Sequence, residues 1–98
     1  MDHATFLESL SATAAPAFKS PLLRALWLDA KGDFDGAHSI AQQVEDTDGA
    51  RVHAYLHRKE GDLANAGYWY RRARMSPVQG TLEAEWEALV RHFLAREA

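Results

Sequence analysis

One short stretch of this chain occurs twice, and both copies describe a sharp bend between helices. Leu28-Asp29-Ala30-Lys31-Gly32-Asp33-Phe34-Asp35-Gly36-Ala37 aligns with His57-Arg58-Lys59-Glu60-Gly61-Asp62-Leu63-Ala64-Asn65-Ala66 at an offset of 29 residues. Gly32 pairs with Gly61, Asp33 with Asp62, Phe34 with Leu63 and Ala37 with Ala66. A glycine tolerates the left-handed backbone that ends a helix. The aspartate after it accepts backbone N–H bonds from the start of the next helix. A bulky apolar residue pins the turn, and a small alanine lets the two helices pack closely. Each copy therefore predicts an antiparallel helical hairpin.

Apolar spacing extends this to an all-α fold of about six helices, in one domain over residues 1–98. The first helix is expected from Ala4 to Ala14, with Phe6, Leu7 and Leu10 inward, and Ala15-Pro16 ends it. Ser20-Pro21 starts the second, where Leu22, Leu23, Leu26, Trp27 and Ala30 share a face. After Gly32-Asp33, a third helix turns Phe34, Ala37, Ala41 and Val44 inward. Asp46-Thr47-Asp48-Gly49 reads as a polar break before a fourth helix, Ala50 to Glu60, with Val52, Tyr55 and Leu56 inward. A fifth carries Leu63, Ala66, Tyr70 and Ala73 in a clean stripe. Thr81 caps the last, roughly Leu82 to Arg96, lined by Leu82, Trp86, Leu89, Val90, Phe93 and Leu94. No stretch alternates with period two, so no sheet is expected.

The Gly-Asp bend, the apolar residue after it and the alanine three further on resemble the turn of a tetratricopeptide repeat over about Ser20 to Pro77. Tyr70, Ala73 and Pro77 fall at or near that family's aromatic, small and proline positions. The repeat here is shorter than the usual ~34 residues. The tryptophan–leucine–glycine signature of the first helix is missing, and His53 and His57 stand where the family has leucine and tyrosine. The resemblance implies two hairpins closed by flanking N- and C-terminal helices, and a protein-interaction or structural module, with a homodimer among the candidate assemblies. More narrowly, the stretch from His53 to Leu63, with Tyr68-Trp69-Tyr70-Arg71-Arg72-Ala73 and Glu85-Trp86-Glu87-Ala88-Leu89, is similar to a group of small bacterial proteins that have no assigned activity.

Composition narrows the function classes. Cysteine is absent, which excludes disulfides, thiolate metal sites and cysteine nucleophiles. Met1 to Leu10 has no basic start followed by an apolar run, and no apolar run is long enough to span a membrane. A cytoplasmic location is expected, with no membrane partner. Net charge is −3, yet residues 51–98 hold eight Lys/Arg against six Asp/Glu, while residues 1–50 hold three against eight. An acidic chain is a poor nucleic-acid ligand, although a local basic patch still attracts anions or acidic peptides.

Three constellations remain. His53, His57 and Glu60 sit four and three apart on the fourth helix. Such a trio ligates Zn²⁺ or Fe²⁺ when a neighbouring helix adds a ligand, for which His38 is the candidate. The competing expectations are packed interface histidines, or a site for a small organic ligand or anion, since an i, i+4 pair alone is unspecific and His53 lacks the following glutamate of a zincin helix. Asn65, Tyr68, Trp69 and Arg72 make a second candidate surface of hot-spot residue types, set against an aromatic core edge crossed by arginine. Arg51, Tyr55, Arg58 and Lys59 would face a groove in the family geometry, where related repeats hold a peptide carboxylate. The asparagines of that clamp are missing here, and a solvated charged face is the expectation. Glu83, Glu85 and Glu87 read as complements to a helix N-terminus, because alternate residues on a helix do not face each other. No nucleophile elbow, phosphate loop or paired acid–base set appears, so neither a catalytic residue nor a cofactor is assigned.

Overall fold

The computed structural model describes residues 1–97. Six helices follow in order: α1 (His3–Ser9), α2 (Pro21–Ala30), α3 (Phe34–Gln43), α4 (Thr47–Lys59), α5 (Leu63–Arg72) and α6 (Leu82–Ala95). No strand occurs among the described residues. No helix there is long and apolar enough to cross a membrane.

Every helix starts on a side-chain cap. Asp2, Ser20, Asp33, Asp46, Asp62 and Thr81 each accept a backbone N–H from two or three residues ahead. Each such cap contributes about 1 kcal/mol. The two repeated bends match atom for atom. Gly32 and Gly61 have φ of 88° and 86°. The N–H of Asp33 donates to Leu28 O at 2.9 Å, and that of Asp62 to His57 O at 3.0 Å. The glycine N–H groups donate to Asp29 O and Arg58 O. These are paired Schellman closures, in which one aspartate ends the first helix and caps the second.

Successive helices α2, α3, α4 and α5 pack pairwise. Alanines allow the approach: Ala25, Ala37, Ala54 and Ala66 are all buried. Gly49 serves the same end at the start of α4, where a Cβ would lie 1.8 Å from the Val44 carbonyl oxygen. Helix α6 then closes onto α2 and α4, and α1 packs on α6. The radius of gyration is 12.5 Å, close to the ~13 Å of a close-packed chain of this length. The hairpins are thus folded under α6 rather than opened into an extended array. The main core gathers Phe6, Leu23, Leu26, Val52, Leu56 and Val90, with a smaller cluster of Ala54, Ala66 and Tyr70 between α4 and α5.

Two boundaries and three burials differ from the sequence reading. Helix α1 stops at Ser9, not Ala14. The Ser9 hydroxyl donates to Phe6 O and accepts the Trp27 indole N–H, while the Lys31 ammonium binds the carbonyls of Leu10 and Ala12. Lys31, the C-cap of α2, thereby takes carbonyls that a longer helix would use. Asp46-Thr47-Asp48-Gly49 is not a break: Asp46 caps α4, which begins at Thr47. Leu63 does not pin its turn, being 69% exposed. Helix α5 packs on α4 and reaches α6 through the Tyr70 hydroxyl, which leaves Leu63 uncovered, whereas Phe34 in the first copy rests partly buried on the main core. Ala30 and Leu7, also expected inward, are exposed as well.

Candidate functional site

Helices α3 and α5 both pack on α4 and make no contact with each other. A groove therefore opens between them with α4 as its floor. Its cavity is about 770 Å³, lined by His38, Ala41, Gln42, Val44, Glu45, Asp46, Ala50, His53, His57, Asn65, Trp69 and Arg72. Helical periodicity explains who faces it. His53 and His57 are one turn apart on α4, and Asn65, Trp69 and Arg72 follow at four and three on α5.

The histidines meet at the floor. Nε2 of His53 lies 2.9 Å from Nε2 of His38, so one ring donates and the other accepts. One ring nitrogen of each of His38, His53 and His57 lies within 4.8 Å of the other two. Behind them, the second nitrogen of His57, Nδ1, is 2.6 Å from Glu60 Oε1. A carboxylate accepts only, so Nδ1 is the donor in this contact. His53 is held between two flat neighbours: Trp69 stacks on it at 3.9 Å and His57 at 4.8 Å between ring centroids. The Arg72 guanidinium continues the column over Trp69 at 5.3 Å.

His53 is only 4% exposed. Burial, helped by the charges of His38 and His57, pushes its pKa down to about 4, so the ring is neutral at physiological pH. Its Nδ1 is buried without a hydrogen-bond partner among the described residues. A histidine retained for packing would be expected to satisfy both nitrogens. Around the cluster, Glu45 and Asp46 line the cavity against the single cation Arg72, and Glu60 sits behind His57.

Sequence candidates sort accordingly. His53, His57, Asn65, Trp69 and Arg72 line one cavity, although the sequence presents them as two surfaces. His38 joins them. The trio His53, His57 and Glu60 is not one group: His57 gathers with His38 and His53, and separately with Glu60 and Asp62. Tyr68 is 44% exposed and outside the cavity, its hydroxyl oxygen accepting from the Arg72 guanidinium at 2.9 Å. Arg58 leaves the site altogether. It donates to Glu85 Oε1 at 2.9 Å and to the Gly80 carbonyl.

That second cluster is one the sequence reading missed. Glu85 is buried, with the Tyr70 hydroxyl on its other oxygen at 2.6 Å. Asp29 is buried too, and takes the Tyr55 hydroxyl at 2.9 Å and Lys59 Nζ at 2.8 Å. Burial first, then the adjoining carboxylate, raises both phenols well above the ordinary tyrosine range. The expected solvated face of Arg58 and Lys59 is instead a set of ion pairs fastening α4 to α2 and α6. Glu85 stands in the first turn of α6, as expected of a helix-terminus complement, but it is also a buried acceptor. The available signal was its place between Leu82 and Leu89 on the inward stripe of α6.

Compared with models of protein families, with curated proteins and with solved structures, the chain matches none.

Proposed function

We propose that the protein is a small-ligand or metal-binding protein, and that its site is the cavity between α3 and α5. The observation that supports this is the meeting of three imidazoles on the wall of a water-accessible cavity, with a buried ring nitrogen left unpaired. Under-satisfied polar groups in a concave site favour a binding role over packing. The cavity volume suits a small ligand, within the ~300–1,000 Å³ usual for such sites.

Thermal unfolding tests the reading. Wild type and His57→Gln are melted with divalent metal chlorides, inorganic phosphate and small organic acids. At ~100 Kd a ligand adds about 2.7 kcal/mol, or roughly 10 °C or more in a domain of this size. At least one class should raise Tm to that extent in wild type and much less in His57→Gln. A flat response across the panel contradicts the reading.

A second reading draws on the tetratricopeptide-like hairpins: a protein-interaction module, or a homodimer, using the outer side of α5. It is favoured by the exposure of Leu63 and Tyr68 on α5, with Arg72 lying over the Tyr68 and Trp69 rings. Aromatic residues and arginine are the usual anchors of such contacts. Sedimentation at micromolar concentration with Leu63→Ala and Tyr68→Ala separates the two readings, since both residues lie outside the cavity and an interaction module predicts loss of self-association in these variants.

A further inference from the structure

Resting on the cavity reading above, we infer that the ligand is a late first-row divalent cation of the Zn²⁺ class, held by His38, His53 and His57. The argument starts from ligand type. Neutral imidazole suits Zn²⁺, Cu²⁺, Ni²⁺ and Fe²⁺, and three protein nitrogens leave a fourth position for water or a small anion. Here that position faces the cavity.

Geometry is close to what such an ion needs. Tetrahedral Zn–N bonds of ~2.0–2.1 Å place ligand nitrogens about 3.3 Å apart. The His38–His53 pair, at 2.9 Å, must open by about 0.4 Å. The remaining separations, at most 4.8 Å, must close. Ring centroids 4.6, 5.3 and 4.8 Å apart already place the three rings around one point. His38 comes from α3 and sits partly exposed at the cavity edge, so it is the ring with room to turn.

Proton bookkeeping favours the ion as well. Glu60 holds the His57 proton on Nδ1, which leaves the lone pair of the neutral ring on Nε2. The His38–His53 contact uses one shared proton between two basic nitrogens. When a divalent cation binds, the ring that donates in this contact carries its proton on its own Nδ1 instead, and the three neutral rings each offer one lone pair. Glu60 is then a positioning residue of the carboxylate–histidine–metal kind, not a ligand. The local charge agrees: Glu45, Asp46 and Glu60 outnumber Arg72 around the cluster.

The test is calorimetric titration of chelator-treated full-length protein with Zn²⁺, followed through circular dichroism to confirm folding. One ion per chain is expected. His38→Gln, at a partly exposed position that spares the core, should abolish stoichiometric binding, as should His57→Gln. Glu60→Gln should weaken it about 10–100-fold. Trp69→Phe keeps the ligands and should bind, yet lose the fluorescence quenching that Cu²⁺ causes in wild type through the Trp69–His53 stack. No stoichiometric Zn²⁺, or binding undiminished in His38→Gln, overturns the inference. If Zn²⁺ fails while phosphate or an organic acid still gives a His57-dependent rise in Tm, the metal falls and the cavity reading stands. If nothing shifts Tm, both fall.

Discussion

Helix α4 carries two polar faces that solve the problem of burial in opposite ways. On one, Tyr55, Arg58 and Lys59 meet the carboxylates of Asp29 and Glu85, and each of the four carboxylate oxygens has its own donor. On the other, His53 and His57 meet a third imidazole, and one buried nitrogen has no partner. The first face is matched donor to acceptor and joins four helices, α2, α4, α5 and α6. The second is base against base and opens on a cavity. Burial costs both faces desolvation, but only the first recovers it within the chain. A polar cluster that the fold leaves incomplete is where a ligand has something to add. The matched side is not without a loose end, since Arg51 Nε, one turn before Tyr55, is buried unpaired.

The largest effect should come from breaking the matched face. Glu85→Ala leaves the Arg58 guanidinium and the Tyr70 hydroxyl without their acceptor. Removing one partner of a buried pair costs about 3–5 kcal/mol, so denaturant unfolding should show a loss of that order with little change in m. A loss below ~1 kcal/mol would mean that water replaces the carboxylate and the clamp is not structural.

The imidazole face should respond to acid instead. The folded pKa of His53, about 4, lies below the ~6.5 of an unfolded histidine. The unfolded chain thus binds more protons between those values, and stability rises with pH. Metal-free protein should hold its full His53 contribution above about pH 6.5 and lose it progressively as pH falls toward 4, on the order of 3 kcal/mol in all. His53→Leu, which removes both buried ring nitrogens, should flatten that limb. At neutral pH it should shift stability by no more than about 1 kcal/mol in either direction, because an unsatisfied donor or acceptor is lost with its desolvation penalty. Such a substitution on the face opposite to Glu85 would sharpen the contrast: one polar residue indispensable to the fold, one dispensable. Equal destabilisation by both would erase it.

What was legible in the sequence was local. Gly32-Asp33 and Gly61-Asp62 encode their bends because a positive φ and an N-cap are properties of two adjacent residues. The pairing of His53 with His57 was legible because four residues is one helical turn. The recruitment of His38 rests on how α3 lies against α4, which spacing suggests but does not decide. Glu85 was hidden among Glu83 and Glu87, because the rotation of α6 about its axis selects which glutamate enters the interior. The exposure of Leu63 was equally invisible: the second hairpin repeats the bend of the first but lacks the neighbouring helix that covers Phe34.

Cobalt spectroscopy tests the contrast between the two faces most directly. Titration of metal-free protein with Co²⁺ should produce the intense visible bands of a four-coordinate nitrogen site, saturating at one ion per chain in wild type and in Lys59→Gln on the matched face. They should be absent in His38→Gln. A spectrum that stays that of the aqueous ion in folded wild-type protein would contradict the account, and so would bands that persist without His38.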